Sequence, residues 1–285
     1  MYRNTFLSVM FLACCFNGSL CAQSDAQIYE RTCDAKTYPF SDPSPVATPN
    51  NSYYPYFRFD GFSMQAQEKQ WKMVVLENDY VKLTVTPEIG GKIWGAIDKV
   101  NNKEFVYTNG VVKFRDVAMR GPWTSGGIEF NFGIIGHAPT CSTPIDYLTK
   151  KNVDGSVSCH IFSYEWITRT VWNVEINLPK DKAYFTTHTT WFNQSSIDQP
   201  YYQWMNAGYA TKTGTRFYYP GTYSIGHSGD LHPYPIDEEG RDVSWYDNNN
   251  FGASKSLHII GDYNDYFGIY WHNEKHGSAH YSNYD

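Results

Sequence analysis

The stretch Trp172-Asn-Val-Glu-Ile-Asn-Leu-Pro-Lys-Asp-Lys-Ala-Tyr-Phe-Thr-Thr-His-Thr-Thr-Trp-Phe-Asn193 decides the fold class. Its first half alternates Trp172, Val174, Ile176 and Leu178 with Asn173, Glu175 and Asn177. Apolar side chains at every second position describe a strand with one buried face. Pro179-Lys-Asp-Lys182 supplies a turn, because proline presets φ and aspartate bonds to nearby backbone. The residues from Ala183 to Asn193 then return as the partner strand, so the segment predicts an antiparallel hairpin. The same alternation recurs at Val81, Leu83 and Val85 against Lys82, Thr84 and Thr86, closed by Pro87 and Gly90-Gly91. Ile93–Ile97 and Glu104–Tyr107 flank Asn101-Asn102, a second hairpin. No helical periodicity runs longer than about ten residues, which points to a large antiparallel all-β domain over 71–285, a sandwich or a barrel. No fixed-period repeat is present, which argues against a propeller.

Upstream of that domain the chain changes character. Arg3 precedes an apolar run from Phe6 to Phe16, broken only by Ser8, and small residues follow at Gly18, Ser19 and Ala22. This is the pattern of a secretory signal peptide over residues 1–22. The run is shorter than the ~20 residues of a membrane span, so no transmembrane segment is expected. The protein is expected in the periplasm or outside the cell, with a lipid anchor at Cys14 as the alternative. Five of the 14 prolines then fall between Pro39 and Pro55. Residues 23–70 read as an extended, irregular Pro/Tyr-rich arm packing on the main domain. Of six cysteines, Cys33, Cys141 and Cys159 lie beyond the leader. An odd number allows at most one disulfide, and the pairing is open.

Composition narrows the function classes. The chain has 285 residues and a net charge of −6, which gives no basic footprint for nucleic acid. Phosphate-loop, dinucleotide, serine-hydrolase and zincin motifs are missing, so no cofactor is expected. Nine Trp, 24 Tyr and 17 Phe suit a β-sheet and equally a surface that stacks on sugar rings. His272, His276 and His280 recur every four residues, but no helical pattern surrounds them, and no metal site is expected.

The densest chemistry lies in Arg120-Gly-Pro-Trp-Thr-Ser-Gly-Gly-Ile-Glu-Phe-Asn-Phe-Gly-Ile-Ile-Gly-His137. Glu129 and Asn131 share one strand face, about 7 Å apart along it, while Ile128, Phe130 and Phe132 take the other. A carboxylate can act as acid, base or hydroxyl acceptor. Glu129, His137 and Arg120 are the candidate catalytic residues, with Trp123 and Asn131 in the binding role. Trp204, Asn206, Tyr219, His227 and His272 sit in other ring- and amide-rich segments and complete the candidate sugar-binding set. Trp123, Trp204 and Tyr219 are expected on one face as stacking platforms, with Phe130, Phe132 and Trp172 in the core. Asp242 is the candidate for the second carboxylate that a two-acid hydrolysis would need.

Glu77-Asn-Asp-Tyr-Val-Lys-Leu-Thr-Val-Thr-Pro-Glu-Ile-Gly-Gly-Lys-Ile93 resembles the opening of galactose-mutarotase-like domains. From Tyr38 to the C-terminus, and above all over Arg120–Phe132, the chain is similar to a bacterial family of unknown function with that fold, whose members often continue into tetratricopeptide repeats. The resemblance implies an antiparallel β-supersandwich whose concave sheet binds carbohydrate, and a chain that ends before its relatives do. It does not extend to the aldose 1-epimerase histidine: Gln203-Trp-Met-Asn206 stands at the comparable strand. The functional expectation is an exported carbohydrate-active protein holding an oligosaccharide or polysaccharide in an aromatic cleft. Glycosidic-bond hydrolysis is the reaction expected of an enzyme here. A non-catalytic glycan binder and a sugar epimerase are the alternatives.

Overall fold

The computed structural model describes residues 24–47, 54–117, 121–133, 137–200, 202–226, 228–249, 257–261 and 264–282. The expected leader, Cys14, Arg120 and His227 all lie outside these residues. Strands dominate. The first eight are β1 (Gln27–Tyr38), β2 (Gln67–Glu77), β3 (Val81–Thr86), β4 (Lys92–Asp98), β5 (Lys103–Val106), β6 (Val112–Lys113), β7 (Arg115–Asp116) and β8 (Pro122–Trp123). The middle of the chain gives β9 (Ile128–Asn131), β10 (Asp146–Lys151), β11 (Val157–Glu165), β12 (Thr170–Leu178), β13 (Thr186–Asn193) and β14 (Trp204–Ala207). The last are β15 (Thr215–Tyr218), β16 (Tyr223–Ile225), β17 (Leu231–Pro233), β18 (His258–Ile260), β19 (Tyr266–Trp271) and β20 (His276–Tyr281). Among the described residues there is no α-helix, only 3-10 turns at Pro87–Ile89 and Tyr246–Asn249. The fold is an all-β sandwich.

One large sheet runs in the order β14-β9-β4-β3-β2-β1-β6, with β5 pairing β4 at its side. A four-stranded sheet, β10-β11-β12-β13, packs on it. The core between them comes from the alternating residues that the sequence marks. Val81, Leu83 and Val85 of β3 meet Trp172, Val174, Ile176 and Leu178 of β12, all buried in one cluster with Phe130 and Phe132. Phe132 stacks on Trp172 with centroids 4.6 Å apart and planes at 12°. Asn78, at the turn between β2 and β3, ties the two sheets. Its Nδ2 donates to the carbonyls of Pro179 (2.7 Å) and Lys182 (2.9 Å), and its Oδ1 accepts from the amides of Tyr80 and Val81. Small sheets β15-β19-β20 and β17-β16-β18 form the C-terminal part, and β7 pairs β8.

The irregular reading of residues 24–70 needs correction. Gln27–Tyr38 form a twelve-residue strand, fully registered against β2 from Gln27↔Glu77 to Thr37↔Gln67. Most of its side chains are exposed, so it shows no apolar alternation. Backbone ladder bonds to a strand far along the chain hold it, and composition does not show those. Cys33, Cys141 and Cys159 are all free thiols.

The large sheet has a second face. Trp71 and Met73 of β2 and Trp94 of β4 point away from the sandwich core and form a separate cluster with Ile89, Val112 and Phe114. Lys92 on β4, two residues before Trp94, shares this outer face, since Ile93 belongs to the sandwich core. Glu129 and Asn131 of β9 share it too, opposite Ile128 and Phe130, and so do Trp204 and Asn206 of β14, because Met205 and Ala207 pack inward.

Candidate functional site

Three adjacent strands and one loop build the site on this outer face. The Gly126-Gly127 turn delivers β9 beside β4, where Ile93 pairs Ile128. Gly127 has φ +69°, and a Cβ there would lie 2.3 Å from the Ile93 carbonyl oxygen, so only glycine fits. On the other side β14 sets Trp204 against Asn131 and Asn206 against Glu129. Residues 137–141 lie over the same face. The Ala138 amide donates to Asn131 Oδ1 at 2.8 Å, and Gly90 approaches the Cys141 backbone so closely that a Cβ would meet it at 2.5 Å.

That loop places His137 directly on Glu129. Imidazole Nδ1 and carboxylate Oε1 are 2.5 Å apart. Glu129 is only 3% exposed, whereas the His137 side chain keeps 17% of its surface. The ring therefore stands toward solvent, and the carboxylate lies beneath it. Trp123 and Trp204 both meet the ring edge-on, at 5.8 and 5.0 Å between centroids. Tyr202 lies 6.4 Å from Trp204 and extends the aromatic wall. Strand spacing alone leaves Glu129 and Asn131 on a face open to solvent. The loop buries both, with Asn131 wholly covered.

Sequence reasoning did not single out Lys92. Its side chain is 2% exposed, and Nζ lies 3.6 Å from Glu129 Oε2. Nζ donates to the Thr124 carbonyl (2.5 Å) and hydroxyl (3.1 Å), and sits 5.7 Å from the Trp123 ring centroid. Burial pulls this ammonium below its ordinary range, against the opposing charge of Glu129. Cys141 is beside the pair. Burial first, then the Glu129 charge, pushes its thiol far above the usual range, so it stays an unreactive thiol donating to the Pro122 carbonyl at 3.5 Å. The signal for Lys92 was a lysine at the head of the apolar run Ile93-Trp-Gly-Ala-Ile97, directly after Gly90-Gly91.

Three buried polar atoms in this cluster have no hydrogen-bond partner: Trp123 Nε1, Glu129 Oε2 and Asn131 Nδ2. Buried groups of this kind are normally satisfied by protein, water or ligand. Two donors and one acceptor are thus left without a hydrogen bond on the elements around the His137 ring.

The remaining candidates divide by location. Trp123, Asn131, Trp204, Asn206, Glu129 and His137 come together. Tyr219 and His272 belong to the C-terminal part instead. Tyr219 stacks on Phe267 at 5.6 Å, and burial raises its phenol above the ordinary range. His272 Nε2 lies 3.2 Å from the Tyr218 hydroxyl, and its ring packs on Trp245 at 4.7 Å. Trp123 and Trp204 therefore share a platform that Tyr219 does not join. Asp242 also sits at the C-terminal part, accepting from the Ser244 amide and hydroxyl, 3.8 Å from Arg216. His276 stacks on Trp271 and pairs with Asp98, and His280 packs on Phe267, so the histidine series divides among separate partners. No cluster of three metal-binding side chains occurs among the described residues. Further along the outer face, Lys69 and Trp71 of β2 line a cleft of about 530 Å³, with Phe114 also buried in it and Tyr54 and Trp166 exposed at it.

A profile described as a domain of unknown function, DUF5107, matches residues 48–285. The chain belongs to the DUF5107 family. A crystal structure of a TPR-domain-containing protein from Parabacteroides distasonis ATCC 8503 has the same fold. It is 23% identical, with a TM-score of 0.68 over 87% of this chain. The present chain spans 40% of the length of that structure. The DUF5107 match includes every strand of the outer-face site. No described helix is long and apolar enough to cross a membrane.

Proposed function

We infer that the outer-face cluster is a carbohydrate site of an exported protein, in a sandwich of the galactose-mutarotase-like kind. One observation carries this reading. Trp123 Nε1, Glu129 Oε2 and Asn131 Nδ2 make no hydrogen bond, on the elements that surround an imidazole flanked by two indole rings. Sugar rings offer flat C–H faces to indoles and hydroxyls to both donors and acceptors, which fits this mixture. His137 is the group that meets the sugar, and Glu129 orients it through Nδ1. Such a dyad moves a single proton to or from a hydroxyl. Hydrolysis by paired carboxylates requires a second acid about 5–9.5 Å from the first. Glu129 instead faces Lys92 and His137, so binding with proton exchange suits this geometry better than two-acid hydrolysis. The apolar run at residues 6–16 supports export.

Calorimetry against an oligosaccharide panel tests the reading, paired with NMR of anomer exchange and product analysis. Trp204→Ala is expected to weaken saccharide binding tenfold or more, and His137→Gln to abolish any turnover while binding persists. If no saccharide binds, or if both variants behave as the parent does, the assignment fails. Tight binding without turnover in the parent selects the non-catalytic form.

A further inference from the structure

We propose that Lys92 is a positioning residue: as the standing counter-ion of Glu129, it leaves His137 a neutral imidazole that presents an unprotonated Nε2 to the ligand. This rests on the reading of His137 as the ligand-facing group. A buried carboxylate needs a compensating charge. Two groups can provide it here, and they reach different oxygens: His137 Nδ1 meets Oε1 at 2.5 Å, and Lys92 Nζ lies 3.6 Å from Oε2. If His137 were the only cation, both of its nitrogens would carry protons and it could accept none. With Lys92 present, the single proton on Nδ1 satisfies Oε1 as a hydrogen bond, and Nε2 keeps its lone pair.

The anchoring of Lys92 fits that role. Two of its three protons go to Thr124, at the carbonyl and the hydroxyl, which fixes the ammonium beside the carboxylate without a full hydrogen bond to it. Oε2 thus keeps capacity for a bridging water across the 3.6 Å gap. The groups facing Glu129 from the packed elements are few. β4 gives Lys92, β8 with its following residue gives Trp123 and Thr124, and β14 gives uncharged Trp204 and Asn206. The loop after β9 gives His137 and the protonated thiol of Cys141.

Long-range ¹H–¹⁵N correlation of the histidine rings reads the tautomer directly, on the full ligand-free chain at pH 7, with His137 assigned by its loss in His137→Gln. The parent is expected to show protonated Nδ1 and unprotonated Nε2. Lys92→Met is expected to lose the unprotonated Nε2 signal, as His137 becomes the sole counter-ion. Lys92→Met/Glu129→Gln, which removes both buried charges, is expected to restore it. An imidazolium in the parent, or an unprotonated Nε2 that persists in Lys92→Met, overturns the proposal. Should Lys92→Met not fold, Lys92→Gln, which also removes the charge and keeps a polar end for Thr124, takes its place with the same two outcomes. No sugar enters the measurement, so its failure and a failed sugar titration are separate results.

Discussion

The two faces of the large sheet are built from the same strands and obey opposite rules. On β9, Phe130 faces the sandwich core, while Glu129 on the next position faces Lys92 and His137. Both sides are buried. The inner side is filled by apolar packing, with Phe132 flat against Trp172. The outer side buries a charge pair and leaves polar atoms unpartnered. Burying ions seldom stabilises a fold compared with well-packed apolar groups. The outer-face pair therefore adds less to stability than apolar packing of the same volume would.

The sharpest contrast is a stability cycle. Trp172→Ala should cost about 4 kcal/mol, the usual toll of emptying a core of its largest ring. Glu129→Leu alone should cost nearly as much, about 3–4 kcal/mol, because it strands the Lys92 ammonium. Lys92→Met/Glu129→Leu should then return to within about 1 kcal/mol of the parent, since the pair itself contributes little. Denaturant unfolding followed by tryptophan fluorescence gives all three values. A double variant as unstable as Glu129→Leu would erase the distinction between the faces.

Two buried asparagines refine it. Asn78 uses both amide protons and both lone pairs, whereas Asn131 satisfies only its oxygen. Asn78→Ala should therefore cost about 2 kcal/mol through its orphaned partners. Asn131→Ala should cost under about 1 kcal/mol of stability and show its effect in saccharide affinity instead. Equal losses of stability in thermal melts would contradict the comparison.

The smallest effect lies outside both faces. Burial holds His280 below its ordinary range. The unfolded chain therefore takes up this proton more readily than the folded one, and stability falls as pH drops through about 6.5. His280→Phe should flatten that limb of a stability–pH curve between pH 7 and 5, and an unchanged slope would rule out His280 as its source.

Much of the inner face could be read in the sequence, because alternation is a local signal. Val81–Val85 and Trp172–Leu178 carry it without interruption, and both are core strands. The outer face was only half legible. Alternation assigned Glu129 and Asn131 to one side, but their burial depends on a loop whose return no spacing reveals. Lys92 was hidden because a lysine beside a glycine pair reads as a strand end. Tyr219 and His272 resembled the site residues in composition, yet they directly follow β15 and β19 of another sheet, and strand order across sheets is not written in local sequence. The strand β1 escaped notice for the same reason: its partner begins 40 residues after it starts, at Gln67.

The Asn78 tie has a consequence for how the chain assembles. Its carbonyl partners lie 101 and 104 residues away in sequence. Closing a loop of that length costs chain entropy before any contact offsets it, and non-local contacts of this kind slow folding. The two hairpins can form early and separately, but this amide is satisfied only when their turns meet. Asn78 thus acts as a latch that fastens at the docking of the sheets, and truncating it should speed unfolding far more than it slows folding.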